Sequence, residues 1–527
     1  MEIGRVIAKL RNEAKLTQAQ FAEVFKVSQQ SVQKWESGLS TPDLEKIISI
    51  SKYFDVSLDA LILGNDNRVV EEMGKKRALK PQYQNIHDWE FYSTDLMLEY
   101  QQSVDEGLDI ERYKEVFSSI SMLPKGEIKQ KLGDVLFEIV ISAKQKEDYK
   151  YVEPSELEKI KSLKRGTGAI LPYDKKALKD KIHGAWLGRV CGCYLGKTVE
   201  GIRTDELHPF LKASGNYPMY RYINKTDLQC MDVDKFKFSF AGRPFGDERE
   251  GMPVDDDTNY VVMAQEIIQT CGRDFTPYDV AQAWMKYQGK DAYCTAERVA
   301  YCNFIKGFAP PQSAIYQNPY REWIGAQIRG DYFGYINPGN PQLAAEMAFR
   351  DASISHIKNG IYGEMFVSAM LAVAATTSNL EEIILGGLAE IPYTSRLYED
   401  VMLVVDGFRA GVTQKECFER IHTKYDEFTN DWCFTISNAM IVVASLLYGK
   451  GDYGKSICMS VETGFDTDCN AATVGSILGM ANGVQSIPEY WKQPVNDILH
   501  TSIFGVGTVK ISERAALTME HIEKLSK

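Results

Sequence analysis

The sequence predicts a mostly α-helical protein in three stretches: a short helical head over 1–66, a helical spacer over 67–173 and a large all-helical body over 174–527. Three observations carry this. Apolar residues recur at three- and four-residue intervals in most segments, and few segments alternate with period two. Runs rich in Ala, Gly and Ser, such as Ala471–Gly479, begin at capping residues. At 527 residues the chain is too long for one ordinary core.

In the head, Ile3, Val6, Ile7 and Leu10 share one face and predict a first helix ending near Arg11. A second helix opens at Thr17, where Gln20 completes a capping box. The third opens at Ser28 and stops at Gly38. The fourth starts with Pro42 after Thr41 and carries Leu44, Ile47, Ile48 and Ile50. A short fifth spans Leu58 to Leu63.

The spacer begins with polar residues over 65–80, including Asn65–Arg68 and Lys75–Arg77, which predict a linker. Lys125-Gly126 separates two helices, the second with an apolar face of Ile128, Leu132, Val135 and Ile139. Ser155 and Glu158 predict another helix start, and Arg165–Gly168 a flexible junction. No chemistry is legible here; the stretch is expected to connect, or to pack on a neighbour or on the mate of a homodimer.

The body is expected to be helix after helix, except for the aromatic stretch Tyr217–Phe245, an ordered loop or a few short strands. Gly475, Gly479 and Gly483 recur at four-residue spacing, which predicts a buried helix with close neighbours. Two acidic knots stand out. Asp255-Asp256-Asp257-Thr258 and Asp466-Thr467-Asp468-Cys469 each run straight into an apolar helix. One aspartate there is an ordinary cap, but three adjacent carboxylates exceed what a cap can use. Like charges so close either raise their pKa values or recruit a cation. With Thr258 and Thr467 they offer hard oxygen donors suited to Mg²⁺ or Mn²⁺. No His-Glu-x-x-His or paired Cys-x-x-Cys motif points to zinc.

Composition narrows the classes. A 44% apolar and 25% charged chain is globular rather than disordered, and a net charge of −12 excludes nucleic-acid binding by bulk electrostatics. Met1–Arg5 lacks a signal-peptide core, and no apolar run is long enough for a membrane helix. The ten cysteines lack regular spacing and are expected as free thiols, so a cytoplasmic protein is expected.

Leu16-Thr17-Gln18, Val27–Gly38 and Thr41-Pro42 together resemble the helix-turn-helix domain of the phage-repressor and Cro type, here with five helices. The resemblance implies that the helix from Ser28 lies in the DNA major groove. Gln29, Gln30 and Gln33 would then face base edges, and Gln18 a phosphate; a glutamine amide can pair with adenine N6 and N7.

Gly184–Gly188, Leu195–Gly201, Asp255–Thr258, Gly325–Arg329 with Ser353–His356, and Phe465–Asp468 resemble the ADP-ribosylglycohydrolase family over about 176–525. The resemblance implies an all-α domain whose two-metal site is held by Asp255, Asp256, Asp257, Asp466 and Asp468. It implies Glu200 beside the metals as ligand or acid/base, with Asp257 also catalytic. Gly325, Ala326 and Arg329 would approach a diphosphate, and His356 the ribose. Two departures matter: Cys469 replaces a threonine ligand, and Trp323-Ile324 replaces small polar residues. The expected activity is metal-dependent cleavage of a ribosyl C1 bond in ADP-ribosylated or related substrates, joined to a DNA-binding head. The alternative is a transcription regulator that senses an ADP-ribose-like or nucleoside ligand without turnover.

Overall fold

A computed structural model of the chain describes residues 2–54, 56, 58–63 and 90–524, so the linker expected over 65–80 lies outside the described residues. The chain divides into two compact units, Met1–Gln84 and Asn85–Lys527.

The head holds α1 (Glu2–Glu13), α2 (Gln18–Val24), α3 (Gln29–Glu36), α4 (Leu44–Phe54) and α5 (Leu58–Leu63). Ile7, Phe21, Val32, Ile50 and Leu61 are fully buried between them. The predicted capping box forms: Gln20 N donates to Thr17 Oγ1 at 3.2 Å, and Thr17 N donates to Gln20 Oε1 at 2.9 Å. Ser28 Oγ likewise accepts from Ser31 N at 3.1 Å. α4 starts at Leu44 rather than Pro42, because Asp43 Oδ1 accepts from Lys46 N at 2.8 Å and supplies the cap.

Residues expected to form a spacer are built into the second unit. The helix Leu96–Asp105 sends Glu99 to Arg321 at 2.8 Å and Gln102 to Glu322 at 2.6 Å. Just past its end, Glu106 meets Arg321 and Lys358 at 2.7 and 2.6 Å. Glu153 and Glu322 share Arg396, each at 2.8 Å. Buried charges of this kind are costly unless paired, so they fix one docking position.

The helix Glu127–Ser142 buries Gly133, Leu136, Phe137 and Val140. Half of the predicted face is overturned: Ile128 and Val135 are exposed, while Leu132 and Ile139 are half-buried against the cluster. Two apolar stripes compete on this helix, and the one that meets Ser93 and Tyr92 is buried. Ser155 does not cap Leu157–Leu163; its Oγ accepts from Lys358 N at 3.2 Å.

In the body the long helix Lys175–Lys197 lies antiparallel against the helix Thr467–Asn482. Glycines make this approach possible. A Cβ on Gly188 would sit 2.2 Å from Gly475 O, one on Gly192 2.0 Å from Ala471 O, and one on Gly196 2.2 Å from Thr467 O. The backbones touch, so only glycine fits at these three positions of the first helix. The seam sets the end of the first helix beside the start of the second, which is where the downstream acidic knot lies. The helix Asp256–Cys271, carrying the upstream knot at its start, packs on the first of them.

Tyr217–Phe245 is an ordered loop with 3-10 turns at Lys225–Cys230 and Val233–Lys235. One hairpin departs from the all-helical expectation: β1 (Ile498–His500) pairs antiparallel with β2 (Thr508–Lys510), with Leu499 opposite Val509. Among the described residues no helix is long and apolar enough to cross a membrane.

Candidate metal centre and active site

The two acidic knots, separated by about two hundred residues in sequence, meet at the end of the glycine seam. Asp257, Asp468 and Cys469 each place one ligand atom within 4.8 Å of the others, and so do Cys193, Asp255 and Asp257. Asp257 is common to both trios.

Asp255 caps its helix, its Oδ1 accepting from Asp257 N at 2.9 Å and from Cys193 Sγ at 3.2 Å. Its Oδ2 lies 2.7 Å from Lys197 Nζ. Arg189 donates to Asp257 Oδ1 at 3.0 Å, to the Asp257 carbonyl at 2.8 and 2.9 Å, and to Asp331 Oδ2 at 2.9 Å. Asp257 Oδ2 and Asp468 Oδ1 are buried and have no hydrogen-bond partner. Such atoms are expensive unless something positive faces them. The thiols of Cys433 and Cys469 stand beside Asp466.

Charge is unbalanced here. Burial pushes Asp256 up to about 8, with Asp255 adding to the effect. It also drives Asp257 and Asp468 well above the carboxylate range, against the pull of Arg189 and Lys197 respectively. Asp255 alone is lowered: burial opposes ionisation, and the Lys197 ammonium outweighs it. The carboxyl groups outnumber the cations facing them, an imbalance that either protonation or a divalent cation relieves. The orphaned oxygens and the donor trios therefore fit a metal.

Glu200, half-buried, lies 2.7 Å from Lys197 Nζ and accepts from Arg243. Arg243 comes from the Tyr217–Phe245 loop and also donates to Lys197 O at 3.1 Å. The two threonines donate to main chain: Thr467 to Gly196 O at 2.9 Å and Thr258 to Asp255 O at 3.2 Å.

The third expected cluster is turned inward. Arg329 is 1% exposed, paired with Asp351 and, at 3.1 Å, with Glu297. Its guanidinium is committed to carboxylates rather than open to a diphosphate. His356 is fully buried, its Nδ1 2.8 Å from Ser355 Oγ and its Nε2 without a partner. Burial and Arg329 hold it neutral, well below the usual imidazole range. Ala326 is buried and Gly325 half-buried; a Cβ on Gly325 would strike Glu297.

Sequence reasoning missed Arg189, Cys193, Lys197, Arg243 and Glu297. A signal existed for three of them. Arg189, Cys193 and Lys197 each follow a seam glycine and recur every four residues, so they form the row beside Gly188, Gly192 and Gly196. Arg243 and Glu297 carried none.

In the head, Gln29, Gln30 and Gln33 are exposed on α3. Gln18 is half-buried, donating to Glu36 Oε2 at 2.6 Å, beside the Arg11–Glu36 ion pair.

Both parts of the chain match known families. Residues 7–61 match the helix-turn-helix family. The HTH-type transcriptional activator BcrR of Enterococcus faecalis is 37% identical over 87 residues, 16% of this chain and 43% of that protein, so less than half of the activator's length is spanned. The uncharacterized HTH-type transcriptional regulator YqaE of Bacillus subtilis is 34% identical over 73 residues, 14% of this chain and 63% of that protein. An uncharacterized protein of Archaeoglobus fulgidus is 21% identical over 328 residues, 61% of this chain and 93% of its own. A solved structure described as an ADP-ribosylglycohydrolase-related protein complex is similar at a TM-score of 0.41 and 17% identity, spanning 66% of this chain and 99% of its own. Residues 174–521 match the ADP-ribosylglycohydrolase family, and the chain belongs to it, joined to an N-terminal helix-turn-helix domain.

Proposed function

We propose that the body is a metal-dependent glycohydrolase that cleaves a ribosyl C1 bond of ADP-ribosylated or related substrates, and that the head binds DNA as part of a transcription regulator. The meeting of both acidic knots around carboxylate oxygens that lack partners, with Glu200 tied to them through Lys197, carries this reading. Asp255, Asp256, Asp257, Asp466 and Asp468 would hold one or two divalent ions, Mg²⁺ or Mn²⁺ by their oxygen donors. A bound ion supplies positive charge that anchors sugar hydroxyl and phosphate oxygens.

The rest falls to the chain's own side chains. The C1 bond breaks with its electron pair leaving on the departing group, so positive charge builds on C1 and the ring oxygen. Water adds to C1, and Glu200 takes its proton as general base, held in place by Lys197 and Arg243. Arg189 keeps Asp257 aimed at the centre. Arg329 acts as a buried strut that sets the Gly325–Ala326 loop, over which the diphosphate would pass, with His356 beneath. In the head, Gln29, Gln30 and Gln33 would read bases and Gln18 would meet a phosphate through the face it does not turn to Glu36.

A second reading, ligand sensing without turnover, is favoured by one observation: the Lys197 ammonium already sits among the carboxylates. Incubation of the full chain with ADP-ribosylated protein and with nucleosides, with Mn²⁺ and after chelation, separates the two. Metal-dependent release of the ribosyl product, lost in a folded Asp468→Ala variant, supports hydrolysis. Tight binding of ADP-ribose with no product supports sensing.

A further inference from the structure

The donors around this centre are not all oxygen. Cys469 Sγ belongs to one trio with Asp257 and Asp468, and Cys193 Sγ to the other with Asp255 and Asp257. Both thiols are buried, and neither is in a disulfide. Cys193 already approaches a carboxylate oxygen of the cluster at 3.2 Å. The carboxylate oxygens that lack partners, Asp257 Oδ2 and Asp468 Oδ1, belong to the residues that share these trios. A hydroxyl or carboxylate at either cysteine would have left an all-oxygen cage suited to Mg²⁺. Sulfur changes the selection, because thiolate is a poor ligand for a small hard ion and a good one for borderline ions.

We propose that this centre selects a borderline divalent transition ion of the Fe²⁺, Co²⁺ or Zn²⁺ class over Mg²⁺, and that sulfur enters each trio as a ligand, Cys469 Sγ beside Asp257 and Asp468 and Cys193 Sγ beside Asp255 and Asp257. This rests on the metal-centre reading above and revises its ion: the oxygen donors taken alone suit Mg²⁺ or Mn²⁺, and the two sulfurs beside them shift the preference. Each sulfur that binds gives up its thiol proton to solvent, so one metal–sulfur bond forms for each proton released. The thiols need no redox partner for this step. Hard ions that keep most of their water gain little from such a site, whereas ions that accept sulfur gain a full ligand.

The test uses the full chain, stripped of metal and titrated with Co²⁺, since cobalt reports its ligands by absorption. The expected result is near-ultraviolet sulfur-to-cobalt charge transfer that saturates with the visible bands, and displacement of Co²⁺ by Zn²⁺ but not by Mg²⁺ in large excess. Cys469→Ser should weaken Co²⁺ by roughly tenfold or more, the scale on which even outer partners of a metal site act. Cys230, Cys271 and Cys294 are exposed thiols that can bind cobalt adventitiously. Asp257→Asn keeps all of them and must still lose the band. Visible cobalt bands without charge transfer, a band that survives Asp257→Asn, or Mg²⁺ that competes on equal terms overturns the sulfur ligation while leaving a metal centre in place. No binding of Co²⁺, Zn²⁺, Mn²⁺ or Mg²⁺ at all overturns the metal-centre reading with it.

Discussion

Gly196→Ala probes the contact on which the whole site depends. The added Cβ would stand 2.2 Å from Thr467 O, 2.3 Å from Thr467 C and 2.4 Å from Asp468 N. Ordinary contact begins about 1 Å further out, and these atoms are main chain in the first turn of a buried helix, so no rotamer relieves the clash. Overpacking of this kind costs about 1–3 kcal/mol, and rigid partners place it at the upper end. In apparent melting temperature that is roughly 3 °C for a unit of this size. The relief available is a shift of the helix start by ~1 Å, which carries Asp466 and Asp468 away from Asp257. A displacement of that size can lower turnover by ~10²-fold. Gly289→Ala is the control: its backbone is extended, at φ −82°, and its Cβ would meet nothing within 4 Å. Thermal unfolding by circular dichroism, without metal and for both variants, reads the first effect independently of any activity. If Gly196→Ala melts with the parent protein, the two helices do not touch through their backbones and the account of how the knots meet is wrong.

Arg189→Met removes the partner of two buried carboxylates, Asp257 and Asp331, and should cost about 3–5 kcal/mol in urea unfolding. Burial raises Glu462 to about 7, above an ordinary value of 4.5, against one hydrogen bond from Met219 N. A carboxyl raised on folding binds its proton more tightly in the native state, so its stabilisation is full below 4.5 and is lost as pH climbs from 4.5 through 7. The slope is at most ~1.4 kcal/mol per pH unit, and Glu462→Gln should flatten the melting-temperature profile over that window. Gln29→Ala with Gln30→Ala should weaken operator binding by about 1–3 kcal/mol per base pairing lost while sparing the salt-dependent component, as read by fluorescence anisotropy across salt concentrations.

Local signals in the chain fixed much of this protein. Thr17, Gln20 and Ser28 determined the caps of the head because capping is a contact between near neighbours. The two acidic knots announced a crowded carboxyl cluster because adjacent carboxylates cannot share one place without compensation. The glycine row of Gly475 and Gly479 announced a close neighbour. It could not name that neighbour as Gly184 and Gly188, since backbone contact between helices some 290 residues apart leaves no local trace. Tertiary structure alone decided that Lys197 and Arg189 stand among the acids, that Arg243 reaches Glu200 from an irregular loop, and that Arg329 faces Asp351 and Glu297. It also decided which stripe of Glu127–Ser142 is buried, because both stripes are apolar and the choice falls to partners met only in the fold, among them Tyr92, Ser93 and Tyr316. Sequence determines what each segment can bury or bind within a few turns; which distant charge or backbone completes it depends on the packing of the whole chain.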